Sequence, residues 1–175
     1  MSGGSAKTRY FISAANLDEE GIVPRNTFKR NNISANINTS INDKFKVGAS
    51  IKYANTKGRR IQQGSNTSGL MLGLLRTPPS FDNSNGTTNA RDQSAFLNAD
   101  GSQRNYRAGV GYDNPYWTIN MSPYTDEVNR VISNLNLKYD LTPEIKLNYR
   151  GGADYYTRFF NDFIAINSRT APAGR

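Results

Sequence analysis

Four aromatic residues close together, Tyr112, Tyr116, Trp117 and Tyr124, are the first group in this sequence whose types and spacing can do chemistry. Flat apolar ring faces with polar rims stack well on sugar rings, so GVGYDNPYWTINMSPY, Gly109 to Tyr124, is a candidate substrate-binding platform. Its plain alternative is that these rings anchor a folded loop or join an aromatic girdle at a membrane interface, and that is the reading preferred on sequence. A second group is cationic. Lys46, Lys52, Lys138, Lys146 and Arg150 sit among apolar residues at alternate positions, where they can attract an anionic ligand or pair with acids such as Asp140 and Asp154. Pairing is the expected role.

The inventory excludes much else. The chain has no Cys and no His, which removes disulfides, zinc-finger spacings, thiol nucleophiles and imidazole bases together. Carboxylate, Ser or Lys chemistry would remain, but no clustered constellation announces it, so the chain is read as a non-enzyme without metal or cofactor. Gly109-x-Gly111 lacks the third glycine and the strand-to-helix context of a dinucleotide loop. Asp18, Glu19 and Glu20 lack the ligand repeat of a calcium loop and read as a solvated turn. Asn66-Thr67-Ser68 has the form of a glycosylation sequon and carries little weight.

The elements that must position these residues follow from a period of two. From Arg130 to Tyr156, apolar or small residues fall on odd positions, from Val131 through Leu135, Leu137, Tyr139 and Leu141 to Ile145, Leu147, Tyr149, Gly151, Ala153 and Tyr155. Polar residues alternate with them, which is the pattern of strands with one apolar face. Thr142-Pro143-Glu144 interrupts the run, and a proline cannot donate to a ladder, so a hairpin is predicted. Symmetry about Pro143 sets Leu141 against Ile145, Tyr139 against Leu147 and Leu137 against Tyr149. A slip of one residue would invert both faces, so the register is strongly specified.

The same construction appears earlier. Ile33, Ala35, Ile37, Thr39 and Ile41 alternate with polar residues in a strand from Thr27 to Ile41; Asn42-Asp43-Lys44 turns; Phe45, Val47, Ala49, Ile51 and Tyr53 then alternate with Lys46, Gly48, Ser50 and Lys52. Lys7 to Leu17 reads as a first strand and Asp18 to Asn26 as its connection. Residues 1–56 are thus expected to hold three strands and residues 125–160 a hairpin, with 161–175 beginning another loop. Residues 57–124 are too long for an ordinary connection. Within them, residues 68–76 are predicted to form a short helix, capped by Ser68 and ended by Pro78-Pro79.

Composition fits an unusual setting for these strands. Among 175 residues only 36% are hydrophobic, and the mean hydropathy of -0.69 is lean for a two-layer core. The net charge of +8 raises a polyanionic partner, but the cations are scattered, with no cluster longer than Arg59-Arg60, which argues against nucleic acid. No apolar run is long enough for a membrane-spanning helix, and MSGGSAKTR lacks a signal-peptide core, so the expectation is a cytosolic chain or an internal piece of something longer. Strands of a dozen residues with one apolar and one polar face fit a membrane barrel, where about 9 to 11 tilted residues cross the hydrocarbon. The apolar face then meets lipid and the polar face, with its lysines, lines the lumen. Short turns at Asn42 to Lys44 and Thr142 to Glu144 fall at one end and long connections at the other, as in outer-membrane barrels, whose short turns are periplasmic.

The strings that carry a family resemblance are Ser2 to Tyr53, with its EGI turn and KVG strand; LLRTPPSFD, Leu74 to Asp82; and YDNPYWTINMSPYTDEVNRVISNLNLKYDLTPEIKLNYRGGADYYT, Tyr112 to Thr157. Together they resemble the SusC/RagA-type, TonB-linked outer-membrane transporters of the Bacteroidetes. That resemblance implies an all-β, antiparallel up-and-down meander forming part of a barrel of about 22 strands, with one long extracellular loop containing a short helix. It also implies a plug domain, energy supplied through TonB, a SusD-like surface lipoprotein as partner, contact with outer-membrane lipid, and oligosaccharide or peptide cargo. About five barrel strands are expected in this chain, with the plug, the TonB-contacting segment and the signal sequence outside it. The rival expectation is a soluble β-sheet carbohydrate-binding module using residues 57–124, which would need a second layer over its apolar face.

Overall fold

A computed structural model describes residues 1–63, 69–107 and 111–169. Six strands form one antiparallel sheet in sequence order: β1 (Ser2–Gly4), β2 (Thr8–Glu20), β3 (Thr27–Ser40), β4 (Phe45–Arg60), β5 (Tyr124–Asp140) and β6 (Lys146–Asp162). Two short helices, α1 (Leu70–Arg76) and α2 (Pro115–Met121), and a 3-10 turn at Gln93–Ala95 lie between β4 and β5. The meander expected from the sequence is therefore the observed fold. The chain divides into two compact units, one of residues 1–18, 28–57 and 127–159, and one of residues 19–27, 58–126 and 160–175.

The first unit is sheet. Both short hairpins close the same way: Ile41 N–H donates to the Phe45 carbonyl and Leu141 N–H to the Ile145 carbonyl, each at 2.9 Å. In each turn the first side chain takes the place of a backbone acceptor. Asn42 Oδ1 accepts from the amides of Lys44 (2.9 Å) and Phe45 (2.8 Å), and Thr142 Oγ1 accepts from Ile145 (3.0 Å). Counting back from Leu141–Ile145 sets Tyr139 opposite Leu147 and Leu137 opposite Tyr149, the predicted register. The Asp140 amide donates to the Lys44 carbonyl at 2.9 Å and joins the two hairpins edge to edge.

β5 begins at Tyr124, next to the expected 125, whereas β4 runs past the expected 56 to Arg60. Side-chain pairs replace apolar contacts there: Asn55 donates to Asn129 at 2.8 Å, and Lys57 pairs with Glu127 at 3.0 Å. At the N-terminus β1 pairs Gly3 with Tyr10, a strand missed because two glycines conceal strand propensity. A Cβ on Gly3 would lie 2.5 Å from the Tyr10 hydroxyl, so glycine lets that ring lie across the edge.

The second unit has its own core of Ala95, Phe96, Trp117 and Ala165, with Leu97, Tyr116 and Met121 packed on it. α1 begins at Leu70 after Gly69, with no side-chain cap; the predicted cap Ser68 lies outside the described residues. Thr77 Oγ1 donates to the Gly73 carbonyl at 2.7 Å and closes its C-terminal turn. α2 was not predicted. Its signal was in the sequence as Asn114-Pro115: Asn114 caps by accepting from the Tyr116 amide at 2.8 Å, and Pro115 fills the first helical position. Among the described residues no helix is long and apolar enough to cross a membrane, which leaves crossing by strands untouched.

Candidate functional site

The sheet presents two chemically opposite faces. On one, Ile33, Ile37 and Ile41 of β3 and its turn, Ile51 and Tyr53 of β4, Leu135, Tyr139 and Leu141 of β5, and Leu147, Tyr149 and Tyr155 of β6 are all exposed, Leu147 at 64% and Tyr155 at 67%. Small residues such as Ala35, Ala49, Gly151 and Ala153 leave a shallow hollow of about 790 Å³ in this face. Phe45 and Tyr139 meet edge to face at 6.0 Å near its turn end. Among the described residues no layer covers these side chains. Apolar exposure on this scale is far beyond the scattered residues normal for a water-facing surface.

The apolar band has a sharp limit. Beyond Ala14, Ile33, Tyr53 and Val131 the same face turns polar and self-paired. Asn16 donates to Asn31 at 2.7 Å, Lys29 pairs with Asp18 at 2.7 Å, and the Asn55–Asn129 and Lys57–Glu127 pairs lie level with them. Between this belt and the short turns run Ile33 to Ile41, Phe45 to Tyr53, Val131 to Leu141 and Ile145 to Tyr155, each of the length that about 9 to 11 tilted residues need to cross hydrocarbon.

The opposite face carries the predicted cations. Lys46 and Lys138 line a recess of about 360 Å³ together with Lys7, Arg9, Asn38 and Asn136. Gly48 makes room in it, since a Cβ there would lie 2.7 Å from Asn38 Oδ1. Lys52 and Lys146 are exposed on the polar phase, and Arg150 Nε donates to Asn136 Oδ1 at 2.9 Å. Pairing of these five with acids of a plug or with Asp140 and Asp154 was expected; of the two local acids, Asp154 is held by Arg130, whose Nε donates to its Oδ1 at 2.8 Å. Lys7 and Arg9 were missed as members of the recess because the two faces of β2 separate less cleanly in the sequence.

The second unit scatters the four predicted aromatics. Trp117 is 2% exposed, packs edge to face on Phe96 at 6.4 Å, and donates from Nε1 to Ser168 Oγ at 2.8 Å. It offers no open ring face and anchors the unit. Tyr116 packs on the same core, and Tyr124 meets Phe160 edge to face at 5.0 Å. Tyr112 alone joins a half-buried stack with rings the sequence did not single out: it stacks on Tyr106 at 6.2 Å, and Tyr106 meets Phe81 at 6.2 Å. Guanidiniums close both ends, Arg76 over Tyr112 and Arg104 over Phe81, each 4.5 Å from the ring centroid. A hydrogen bond between the two phenols raises the Tyr106 pKa and lowers that of Tyr112, which Arg76 and Arg107 lower further.

A buried polar knot supports this stack. Gln103, Asp113 and Asn114 are each at most 6% exposed. Asp113 Oδ1 accepts from Gln103 Nε2 (2.7 Å) and from the Arg169 amide (2.8 Å), while Gln103 Oε1 accepts from Asn105 Nδ2 (2.9 Å) and the Asn114 amide (3.1 Å). Asn114 Nδ2 donates to the carbonyls of Arg104 (2.8 Å) and Ala95 (3.0 Å). Asn105 also donates to the Tyr112 carbonyl, which ties the stack to the knot. Burial raises the Asp113 carboxyl pKa, opposed by the Gln103 and Arg169 hydrogen bonds. This arrangement fixes a loop and presents rings and cations; among the described residues no group of acidic side chains could hold a metal ion.

Comparison with known proteins places this geometry. No family model matches the chain. In an alignment 172 positions long that covers 89% of its length, it is 23% identical to the TonB-dependent receptor SusC of Bacteroides thetaiotaomicron, and it spans 16% of that protein. Two solved structures share its fold at 23% identity over 90% of the chain: the RagAB peptide importer in its closed-closed state (TM-score 0.61) and the RagAB peptide transporter (TM-score 0.63), 17% of each matched chain being covered. Over most of its length the chain is similar to TonB-dependent transporters of the SusC/RagA type, and its sheet matches a segment of the RagA β-barrel.

Proposed function

We propose that this chain supplies barrel wall and an extracellular loop to a SusC/RagA-type, TonB-dependent nutrient importer of the bacterial outer membrane. The observation that carries this reading is the uncovered apolar face, of membrane-crossing length and bounded by a polar belt. Lipid is the solvent in which such a face is stable, whereas water would drive it to aggregate. The lean composition follows, since a lipid-facing wall needs no second layer.

In this reading the cargo is an oligosaccharide or peptide, a SusD-like surface lipoprotein is the partner, and TonB acts through regions outside these residues. The Phe81–Tyr106–Tyr112 stack, with Arg76 and Arg104 at its ends, takes the substrate-facing role first assigned to Tyr112, Tyr116, Trp117 and Tyr124, in which Trp117, Tyr116 and Tyr124 hold the loop in place. Lys46, Lys52, Lys138, Lys146 and Arg150 face the lumen. The chain does no covalent chemistry in this scheme. A water-soluble carbohydrate-binding module is the rival, and it would require a cover over Leu147, Tyr149 and Tyr155 that the described residues do not provide.

Deleting the gene in its host and following uptake of labelled oligosaccharides and peptides tests the reading. Loss of uptake for one class, restored by the wild-type gene, is expected. Unchanged uptake of every class, with the protein recovered in the aqueous fraction, would contradict it.

A further inference from the structure

Three arginines from separate segments converge on the last turn of α2. Arg25, in the β2–β3 connection, donates to Asn120 Oδ1, and Arg59, near the end of β4, donates to the Ile119 carbonyl at 3.0 Å. Asn120 in turn donates from Nδ2 to the Ala90 carbonyl at 2.7 Å, which brings Arg91 alongside. Two adjacent helix residues thus gather three guanidinium-bearing segments of the second unit.

Helix capping accounts for only part of this. A guanidinium carries five N–H donors in a fixed fork, and a bond to one carbonyl or amide oxygen engages only part of that fork. Among the described residues, the charges that lower the Arg25 and Arg59 pKa values are the cluster's own. Burial and then Arg91 lower the Arg25 pKa, and burial, Arg25 and Arg91 lower that of Arg59. The ion pairs formed elsewhere, Lys29–Asp18, Lys57–Glu127 and Arg130–Asp154, do not include them. Arg25 reaches its position from a left-handed backbone, φ 69°, which side-chain-bearing residues adopt uncommonly and which marks functional sites when the surroundings impose it. Like charges held together are the arrangement that an oxyanion completes, because its oxygens accept from paired N–H groups while its charge offsets the repulsion.

We propose that Arg25, Arg59 and Arg91 form a binding site for a carboxylate group on an acidic oligomer, either a peptide side chain or a uronic-acid sugar. Describing that oligomer as cargo rests on the importer reading; its binding does not.

The test is calorimetric titration of the full-length protein in detergent with two matched probe pairs: a glutamate-rich peptide and its glutamine counterpart, and an oligogalacturonide and its methyl ester. One acidic probe should bind more tightly than its neutral partner, and which one does identifies the source of the carboxylate. The preference should shrink with added salt. It should fall about tenfold in Arg91→Gln, the size expected for one hydrogen bond to a charged group, and persist in part in Arg91→Lys. Arg91 is exposed on its loop, so this variant should fold, and Arg25→Gln provides an independent check. Equal binding of acidic and neutral probes, or a preference unchanged in both glutamine variants, would overturn the proposal. Failure of the wild-type protein to form a heat-modifiable barrel would instead overturn the importer reading.

Discussion

Lys57 and Glu127 meet across β4 and β5 at 3.0 Å on the face that, one pair below Asn55 and Asn129, becomes apolar at Tyr53 and Val131. The pair marks the edge of the apolar band, and the same edge recurs on β2 and β3 as Asn16–Asn31 and Lys29–Asp18. A sheet in water has no reason to change polarity at one level on four consecutive strands. In the importer reading, a bilayer boundary imposes it.

Depth along this face sets the cost of charge. Leu137→Arg, in the middle of the band, should destabilise the complete barrel by about 2 to 4 kcal/mol, as for arginine at a bilayer midplane. Denaturant titration of the protein in lipid vesicles measures it, and a change near zero would move Leu137 out of the membrane.

Removing the boundary pair should cost little. Both side chains are more than a third exposed, so Lys57→Ala should cost less than about 1 kcal/mol, and high salt should erase the difference. The same vesicle titration at low and high salt checks this, with Leu137→Arg as the contrasting depth.

Gly73 allows α1 to lie against the segment that opens α2. A Cβ at this position would sit 2.7 Å from the Asp113 carbonyl oxygen, and backbone cannot yield as a flexible side chain can. Gly73→Val should therefore loosen the second unit, seen as faster amide exchange and protease cleavage between residues 69 and 121, while the sheet amides stay protected. Trp117→Ala should act in the same place by opening a large cavity under Phe96, a loss of about 3 to 5 kcal/mol for a buried aromatic.

The Asp113 carboxyl supplies a pH signature. Its pKa is raised in the folded unit, so the native state holds the proton more tightly than the unfolded one. The stability it contributes is complete below the ordinary aspartate pKa and is lost as pH rises through the raised value. Asp113→Asn keeps the acceptor for Gln103 Nε2 and the Arg169 amide but cannot ionise. Amide exchange around Gln103 and Asn114 should quicken with rising pH in the wild type, after correction for intrinsic rates, and lose that extra dependence in the variant.

Where side-chain period and turn chemistry act locally, the sequence was enough. The Leu141–Ile145 register could be read from alternation about Pro143 because a slip by one residue would turn every apolar side chain into the lumen. The end of β4 from Lys57 to Arg60 was illegible, since Lys57-Gly58-Arg59-Arg60 has the composition of a loop and Lys57 becomes strand by pairing with Glu127. The grouping of the aromatic residues was legible only in part. Nearness in sequence grouped Trp117 with Tyr112, but the helix started by Asn114-Pro115 turns Trp117 into the core, and the partners of Tyr112 come from Phe81 and Tyr106. The arginine cluster combines three distant segments, and no local pattern announces it.

The most direct measurement uses the absence of native cysteine in these residues. Single cysteines placed by Leu135→Cys, Leu137→Cys and Tyr149→Cys, and by Asn136→Cys, Lys138→Cys and Arg150→Cys, would carry spin labels in the full-length protein reconstituted in vesicles. Labels at the first three positions should be reached by oxygen dissolved in the bilayer and not by a water-soluble nickel complex; those at the second three should show the reverse or be shielded from both. Odd-phase labels accessible to the nickel complex, or buried from both reagents beneath a protein layer, would contradict the assignment of this sheet to an outer-membrane barrel wall.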